Sequence, residues 1–247
     1  MLHASGESAA DRVYDEVKEQ ILTNAIAGGE LISEGEVAQR FEVSRTPVRE
    51  AFLRLQAEGW MRLYPKRGAL VVPISERDAR DVLDARQLLE GHAVRSVVGG
   101  CAPVGSSQNS PSVDSVATDS EEPGSASQLA ASSALGELVD SLRRNLAEHR
   151  TLATADVTDF ARVDAEFHQV IVAAGDNDLL AGFYTTLGER HRRMTTVSVR
   201  RNPGMAERIL ADHADLLQLI ERGDATGFDA ALRQHFIAVH DLSGGTR

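Results

Sequence analysis

Four polar residues interrupt the apolar stripes of the C-terminal half of this chain, and their types are those that hold a metal ion. Asp164 and His168 are spaced i,i+4, so one helix face carries both, beside Phe160, Phe167 and Ile171. His213 falls within the stripe Ile209, Leu216, Leu217 and Ile220, and His235 within Phe228, Ala231, Leu232 and Val239. Three helices thus each turn an imidazole inward, and one adds a carboxylate. A buried imidazole needs a partner. Three nitrogen donors and one oxygen donor suit a divalent cation, with zinc first and nickel, manganese or iron as the other candidates. The competing account is a set of separately satisfied core histidines. The Asp-x-x-x-His pair favours a metal, because two donors one turn apart reach one ion. His3, His92, His149, His191 and His240 have no such pattern and read as surface or core residues.

A second set lies near the N-terminus. Arg45, Thr46 and Arg49 open a short helix and stand outside its apolar stripe of Val48, Ala51, Phe52 and Leu55. An arginine can bind guanine O6 and N7 with two parallel hydrogen bonds, or grip phosphate. The threonine hydroxyl and the free N–H groups of a first turn can donate to phosphate. Lys66 and Arg67 sit in a tight link between two β-prone pieces, placed to meet a DNA backbone or minor groove. Val43 to Gly68 holds six basic and two acidic residues on a chain of net charge −11. Such a concentrated positive patch is the electrostatic footprint of a local nucleic-acid contact.

The elements that must carry these residues can be read from periodicity and punctuation. Asp11 to Ala27 has an amphipathic pattern and runs into Gly28 and Gly29. Glu34 to Phe41 follows Ser33 as N-cap. After the turn Glu42-Val43-Ser44 comes a third helix, with Ser44 as cap and Pro47 in its first turn. Trp60 to Tyr64 and Ala69 to Pro73 complete a helix-turn-helix with a hairpin wing. Ser75 to Val98 reads as a long helix with Val82, Leu83, Leu88, Leu89 and Val94 inward, and five further helical segments follow from Leu129. The predicted class is mainly α: a winged helix-turn-helix of three helices plus a β-hairpin, then an antiparallel all-α bundle. The predicted division is a tail at 1–10, a DNA-binding domain at 11–74 and a helical domain at 75–247. Gly99 to Gln128, rich in Ser, Gly, Pro and acids, reads as a disordered spacer within the latter. Apolar residues at 42% suffice for a core, and aromatics at 4% favour packed helices over a sandwich. No apolar run approaches the ~20 residues of a membrane span. Met1 to Asp15 has no apolar leader core, and Cys101 is the only cysteine, so the expected location is the cytoplasm.

Glu36 to Trp60, and above all Val43 to Ala51 (VSRTPVREA), resembles the signature of GntR-family regulators. The resemblance implies DNA contacts for Arg45, Thr46 and Arg49 and a wing-tip role for Gly68. Many relatives carry a basic residue where this chain has Gly35, so their operator preference does not transfer. Val82 to Arg95 (VLDARQLLEGHAVR), Asp164 to Asn177 (DAEFHQVIVAAGDN), DHADLL from Asp212 and RQHF from Arg233 resemble the FadR-type (FCD) effector domain. That resemblance implies a metal held by Asp164, His168, His213 and His235, and Arg86 as the partner of an effector carboxylate. The insertion at 99–128 and Asp178, where relatives often have proline, depart from the pattern.

The combined expectation is a ligand-responsive transcriptional repressor and not an enzyme. It would act as a homodimer on an inverted-repeat operator in double-stranded DNA, with a small carboxylate as effector. Two alternatives stay open at this point. One is a metal hydrolase, for which no general base is visible, since Glu166 lies on the far side of its helix. The other is a purely structural metal clip.

Overall fold

The computed structural model describes residues 8–101, 124–154, 156–202 and 204–240. Helix α1 (Ala9–Leu22) starts at a reciprocal capping box between Ser8 and Asp11. It stops well short of Gly28, because Asn24 adopts a left-handed backbone (φ 55°), a conformation asparagine tolerates. Ile26 folds back into the core beside Val13, Val17 and Ile21. Helix α2 (Glu34–Arg40) carries the same box on Ser33 and Glu36. Helix α3 (Arg45–Ala57) begins after Ser44, which takes the N-cap position as the sequence indicated, although its side chain makes no capping bond. Strands β2 (Met61–Tyr64) and β3 (Gly68–Val71) form the wing. A two-residue strand that periodicity could not reveal, β1 (Leu31–Ile32), pairs with the other edge of β3, so the sheet order is β1-β3-β2.

The rest is helical: α4 (Glu76–Cys101), α5 (Gly124–Leu152), α6 (Val157–Ala173), α7 (Asp178–Arg201), α8 (Met205–Glu221) and α9 (Ala225–His240). Residues 99–101 continue α4 and 124–128 begin α5, which corrects the two ends of the expected spacer. Its middle, 102–123, lies outside the described residues. Asp178 opens α7, and the Asn177 side chain caps it by accepting from the Leu180 N–H at 3.1 Å. Leu88 is a second correction: it is 71% exposed. The buried stripe of α4 runs Ala79, Val82, Leu83, Arg86, Glu90, Ala93, Val94 and Val97. Two charged residues therefore occupy core positions in the bundle.

One hydrophobic core fills the winged domain, and the bundle holds a larger one and a smaller one around Phe160, Val199, Ile209 and Val239. The two units meet along α1 and α7. Arg192 grips both carboxylate oxygens of Glu19 (2.8 and 2.5 Å). Lys18 bridges Glu58 (3.0 Å) and Glu189 (2.8 Å). Burial alone would lower the Lys18 pKa, but hydrogen bonds to Glu189, Tyr14 and Glu58 outweigh it and leave it raised. Arg190 donates to the Glu58 carbonyl (3.0 Å) and lies over the Trp60 ring, while Arg193 donates to the Val72 carbonyl (2.9 Å).

Candidate metal centre and nucleic-acid interface

Helix α6 supplies Asp164 and His168, α8 supplies His213 and α9 supplies His235. All four are at most 2% exposed. One donor atom from each lies within 4.8 Å of the other three. His168 Nε2 and His213 Nε2 are 3.2 Å apart, and His213 Nε2 is 3.4 Å from Asp164 Oδ1. Those separations match the edge of a coordination polyhedron with bonds of about 2.0–2.1 Å. Asp164 Oδ1 and His235 Nε2 have no hydrogen-bond partner among the described residues. Buried acceptors facing one another without donors are what a cation would satisfy, so the residues fit one.

The surroundings orient the donors. Glu90 Oε2 lies 2.7 Å from His168 Nδ1 and Asp212 Oδ2 lies 3.2 Å from His235 Nδ1. Each carboxylate holds the ring proton on Nδ1 and turns the Nε2 lone pair inward, the usual outer support of a metal-bound imidazole. His213 is fixed by stacking on Phe167, centroids 4.0 Å apart. The other oxygen of Asp164, Oδ2, accepts from Thr195 Oγ1 at 2.8 Å and lies 3.2 Å from His191 Nε2. Burial, reinforced by Arg86 for His168 and by His168 for His213, holds both imidazoles far below their ordinary pKa. They are therefore neutral at pH 7, the form that ligates.

Arg86 is fully buried. Its Nε donates to Glu90 Oε1 (3.1 Å) and Tyr184 Oη (2.9 Å), and Tyr184 in turn donates to Glu90 (2.5 Å). Its two terminal nitrogens make no hydrogen bond among the described residues, although NH2 lies 3.1 Å from Glu90. Burial raises the Glu90 pKa, and Arg86 opposes that shift. Glu90 and Tyr184 escaped the sequence reading. His149 and His191, read from the sequence as surface or core residues, are core, and half-buried His240 borders them: His149 packs 4.0 Å from Phe160, and His191 lies 5.3 Å from His168 and 5.8 Å from His240, centroid to centroid. The signal was present for Glu90, four residues after Arg86 on the α4 stripe. Glu166 is exposed and paired with Arg162 (2.6 Å), so it offers no general base to the cluster.

On the opposite unit, Arg45, Thr46, Arg49, Lys66 and Arg67 are all exposed. A cleft of about 520 Å³ between the start of α2, α3 and the wing is lined by Arg45, Arg49, Lys66, Arg67 and Gly68. Thr46 stands at the first turn of α3 outside that lining. Arg54 faces away and pairs with Asp11 (2.6 Å). Gly68 has φ 104°, and a Cβ there would lie 2.3 Å from the Ile32 carbonyl oxygen. The glycine is thus required by the contact between β3 and β1, whatever it does at DNA. Gly35 leaves room for Arg45, whose guanidinium lies 3.4 Å from where a Cβ would be.

Residues 9–71 match the family described as "Bacterial regulatory proteins, gntR family", and residues 122–238 match the FCD domain. The chain is 27% identical over 225 residues to the HTH-type transcriptional repressor RspR of Escherichia coli, covering 91% of this chain and 84% of that protein. It is 30% identical over 169 residues to an HTH-type transcriptional regulator of Agrobacterium vitis, covering 67% of this chain and 82% of the relative. The fold matches the crystal structure of a putative GntR regulator from a Rhodococcus species with TM-score 0.63 at 19% identity, over 96% of this chain and 99% of the other.

Proposed function

The chain belongs to the GntR family of bacterial transcriptional regulators, DNA-binding proteins and not enzymes, and from that premise we propose that it is a repressor whose helical domain, spanning 75–247 behind a winged domain at 11–74, senses a small carboxylate at a buried divalent metal. The observation that carries this reading is the convergence of Asp164, His168, His213 and His235 in one buried cluster. These four would hold the ion. The bound metal supplies a Lewis-acidic point for an effector carboxylate. Arg86, with terminal nitrogens free of hydrogen bonds among the described residues, would take the negative charge of that group.

Coupling to DNA runs through α7. Tyr184, His191 and Thr195 face the buried cluster, while Glu189, Arg190, Arg192 and Arg193 hold the winged domain. An effector shifts DNA binding only if it favours one arrangement of these contacts over another. A homodimer would set two α3 helices about one DNA turn apart on an inverted repeat. Leu88 on α4 and Leu179 and Phe183 on α7, exposed by 71%, 71% and 62%, are the apolar set a second copy would cover.

The test is fluorescence anisotropy on the region upstream of the protein's own gene. Binding should be present with zinc and should change when small acids are added to the zinc-loaded protein. A melting temperature raised by zinc, with no acid altering DNA affinity, would leave only a structural clip. At the DNA face, Arg49→Ala should cost ~1–3 kcal/mol on the operator and relax specificity at one position. Lys66→Ala should weaken all sequences alike and reduce the salt slope by about one. Wild-type affinity of the Arg49→Ala variant for the operator, with unchanged discrimination against scrambled DNA, would remove that residue from the interface.

A further inference from the structure

The cations that join the winged unit to the bundle are not equivalent. Arg192 is paired with Glu19, and Lys18 with Glu58 and Glu189. Arg190 and Arg193, one turn apart on α7, make no ion pair among the described residues. Their partners are neutral: the Glu58 carbonyl and the Trp60 ring for Arg190, and the Val72 carbonyl for Arg193. The carboxylates around them are engaged elsewhere, Glu58 with Lys18, Tyr14 and Trp60, Glu189 with Lys18, and Asp78 with Ser75. Arg193 is only 4% exposed, and its Nε has no hydrogen-bond partner among the described residues. Burial, with Arg190 as a like charge beside it, lowers its pKa to about 10. A buried cation without a counter-charge is unfavourable, and an anion that can reach it is correspondingly well held.

Both arginines line a cavity of about 40 Å³ where the two units meet. Trp60 and Val72 close it from the winged unit, Val82 from α4 and Met194 from α7. Asp78 also lines it, so two arginines and one aspartate leave one positive charge uncompensated. A single water needs ~10–15 Å³, so the space admits an ion of one to a few heavy atoms. Apolar walls strengthen the attraction between such an ion and the guanidinium groups. We propose that this cavity is a binding site for a small inorganic anion, held by Arg190 and Arg193. Chloride and phosphate share the required chemistry, a compact charge that only accepts hydrogen bonds. The ion supplies the counter-charge that the two arginines lack. It stabilises the docked arrangement of the units, because the walls of the cavity come from both. The proposal is independent of the metal-and-carboxylate reading, since none of these residues belongs to the four-donor cluster.

Trp60 is the only tryptophan of the chain, so its fluorescence reports on this cavity. It is 3% exposed, and iodide colliding from solution should reach it poorly. The experiment is iodide quenching of the full chain at constant ionic strength, with bulkier isethionate as the balancing anion. Iodide held between the arginines should give a saturable component that chloride or phosphate displaces. Displacement by chloride alone marks a halide site, and displacement by phosphate marks one that accepts an oxyanion. Arg190→Gln, which keeps an N–H donor for the Glu58 carbonyl, and Arg193→Met should each raise the iodide midpoint about tenfold or more. If Arg193→Met does not fold, Arg190→Gln carries the test. Quenching that rises only linearly with iodide, a saturable component that neither chloride nor phosphate displaces, or an unchanged midpoint in either folded variant overturns the site.

Discussion

Replacing Glu90 by alanine should lower the melting temperature by about 6–20 °C. That range follows from a cost of about 3–5 kcal/mol for stranding one partner of a buried ion pair and about 2–4 °C per kcal/mol for a chain of this size. Arg86, Tyr184 and His168 all direct hydrogen bonds at that one carboxylate, and all are essentially buried. Alanine leaves a guanidinium in an apolar stripe with no counter-charge, and also frees the Nδ1 side of His168. Glu90→Gln keeps the volume and one acceptor, so it should retain much of the fold. It should still weaken zinc binding by about 10–100-fold, because an amide orients the His168 proton less firmly than a carboxylate. Differential scanning calorimetry and zinc titration separate the two effects. A Glu90→Ala variant that melts with the wild type would mean that Arg86 finds another partner.

Acidifying the metal-free protein from pH 7 to 5.5 should remove folding free energy, at most roughly 5 kcal/mol if four buried imidazole rings resist protonation throughout. His168, His191, His213 and His240 are held well below the ordinary value of 6.5, in each case chiefly by burial. In the unfolded chain they take up protons near pH 6.5, whereas in the folded chain they resist. The unfolded state therefore binds more protons below that value. The stabilisation is fully present above pH 6.5 and is lost as the pH falls, by up to about 1.4 kcal/mol per pH unit for each ring. Ordinary carboxylates titrate in a lower range, and the raised Glu90 would oppose rather than cause a loss on acidification, so this early loss is a histidine signature. Urea unfolding at a series of pH values measures it, and a flat midpoint between pH 7 and 5.5 would contradict the burial of these rings. Saturating zinc should move the loss to lower pH, because protons and metal compete for the same nitrogens.

What could be read from the amino acids followed the strength of local rules. Asp164 and His168 were visible because i,i+4 spacing on an apolar face leaves few other meanings. Ser33 and Glu36 announced α2 by a capping box. The reading failed where polar residues took core positions. Choosing Leu88 for the interior assumed that apolar means buried, while the phase of α4 assigns those places to Arg86 and Glu90. The packing of His149, His191 and His240 went unread because their partners come from other helices, and no spacing within one helix records that. Strand β1 is two residues long and exists only because β3 has an open edge for it. Composition misjudged both ends of the 99–128 segment, since an established helix can carry glycine and serine past their own preference.

Helix α7 faces two partners at once, and its period ties them together. From Tyr184 to Arg193 the chain passes from the buried cluster to the winged domain and back to Thr195 with no break in the helix. Each residue advances the face by 100°. One residue added between Tyr184 and Glu189 would swing the whole arginine set a quarter-turn or more away from α1 while every side chain remained present. The distance in sequence between those positions is therefore as much a part of this regulator as the side chains themselves. Any substitution in this stretch is a matter of chemistry, whereas any insertion or deletion is a matter of phase.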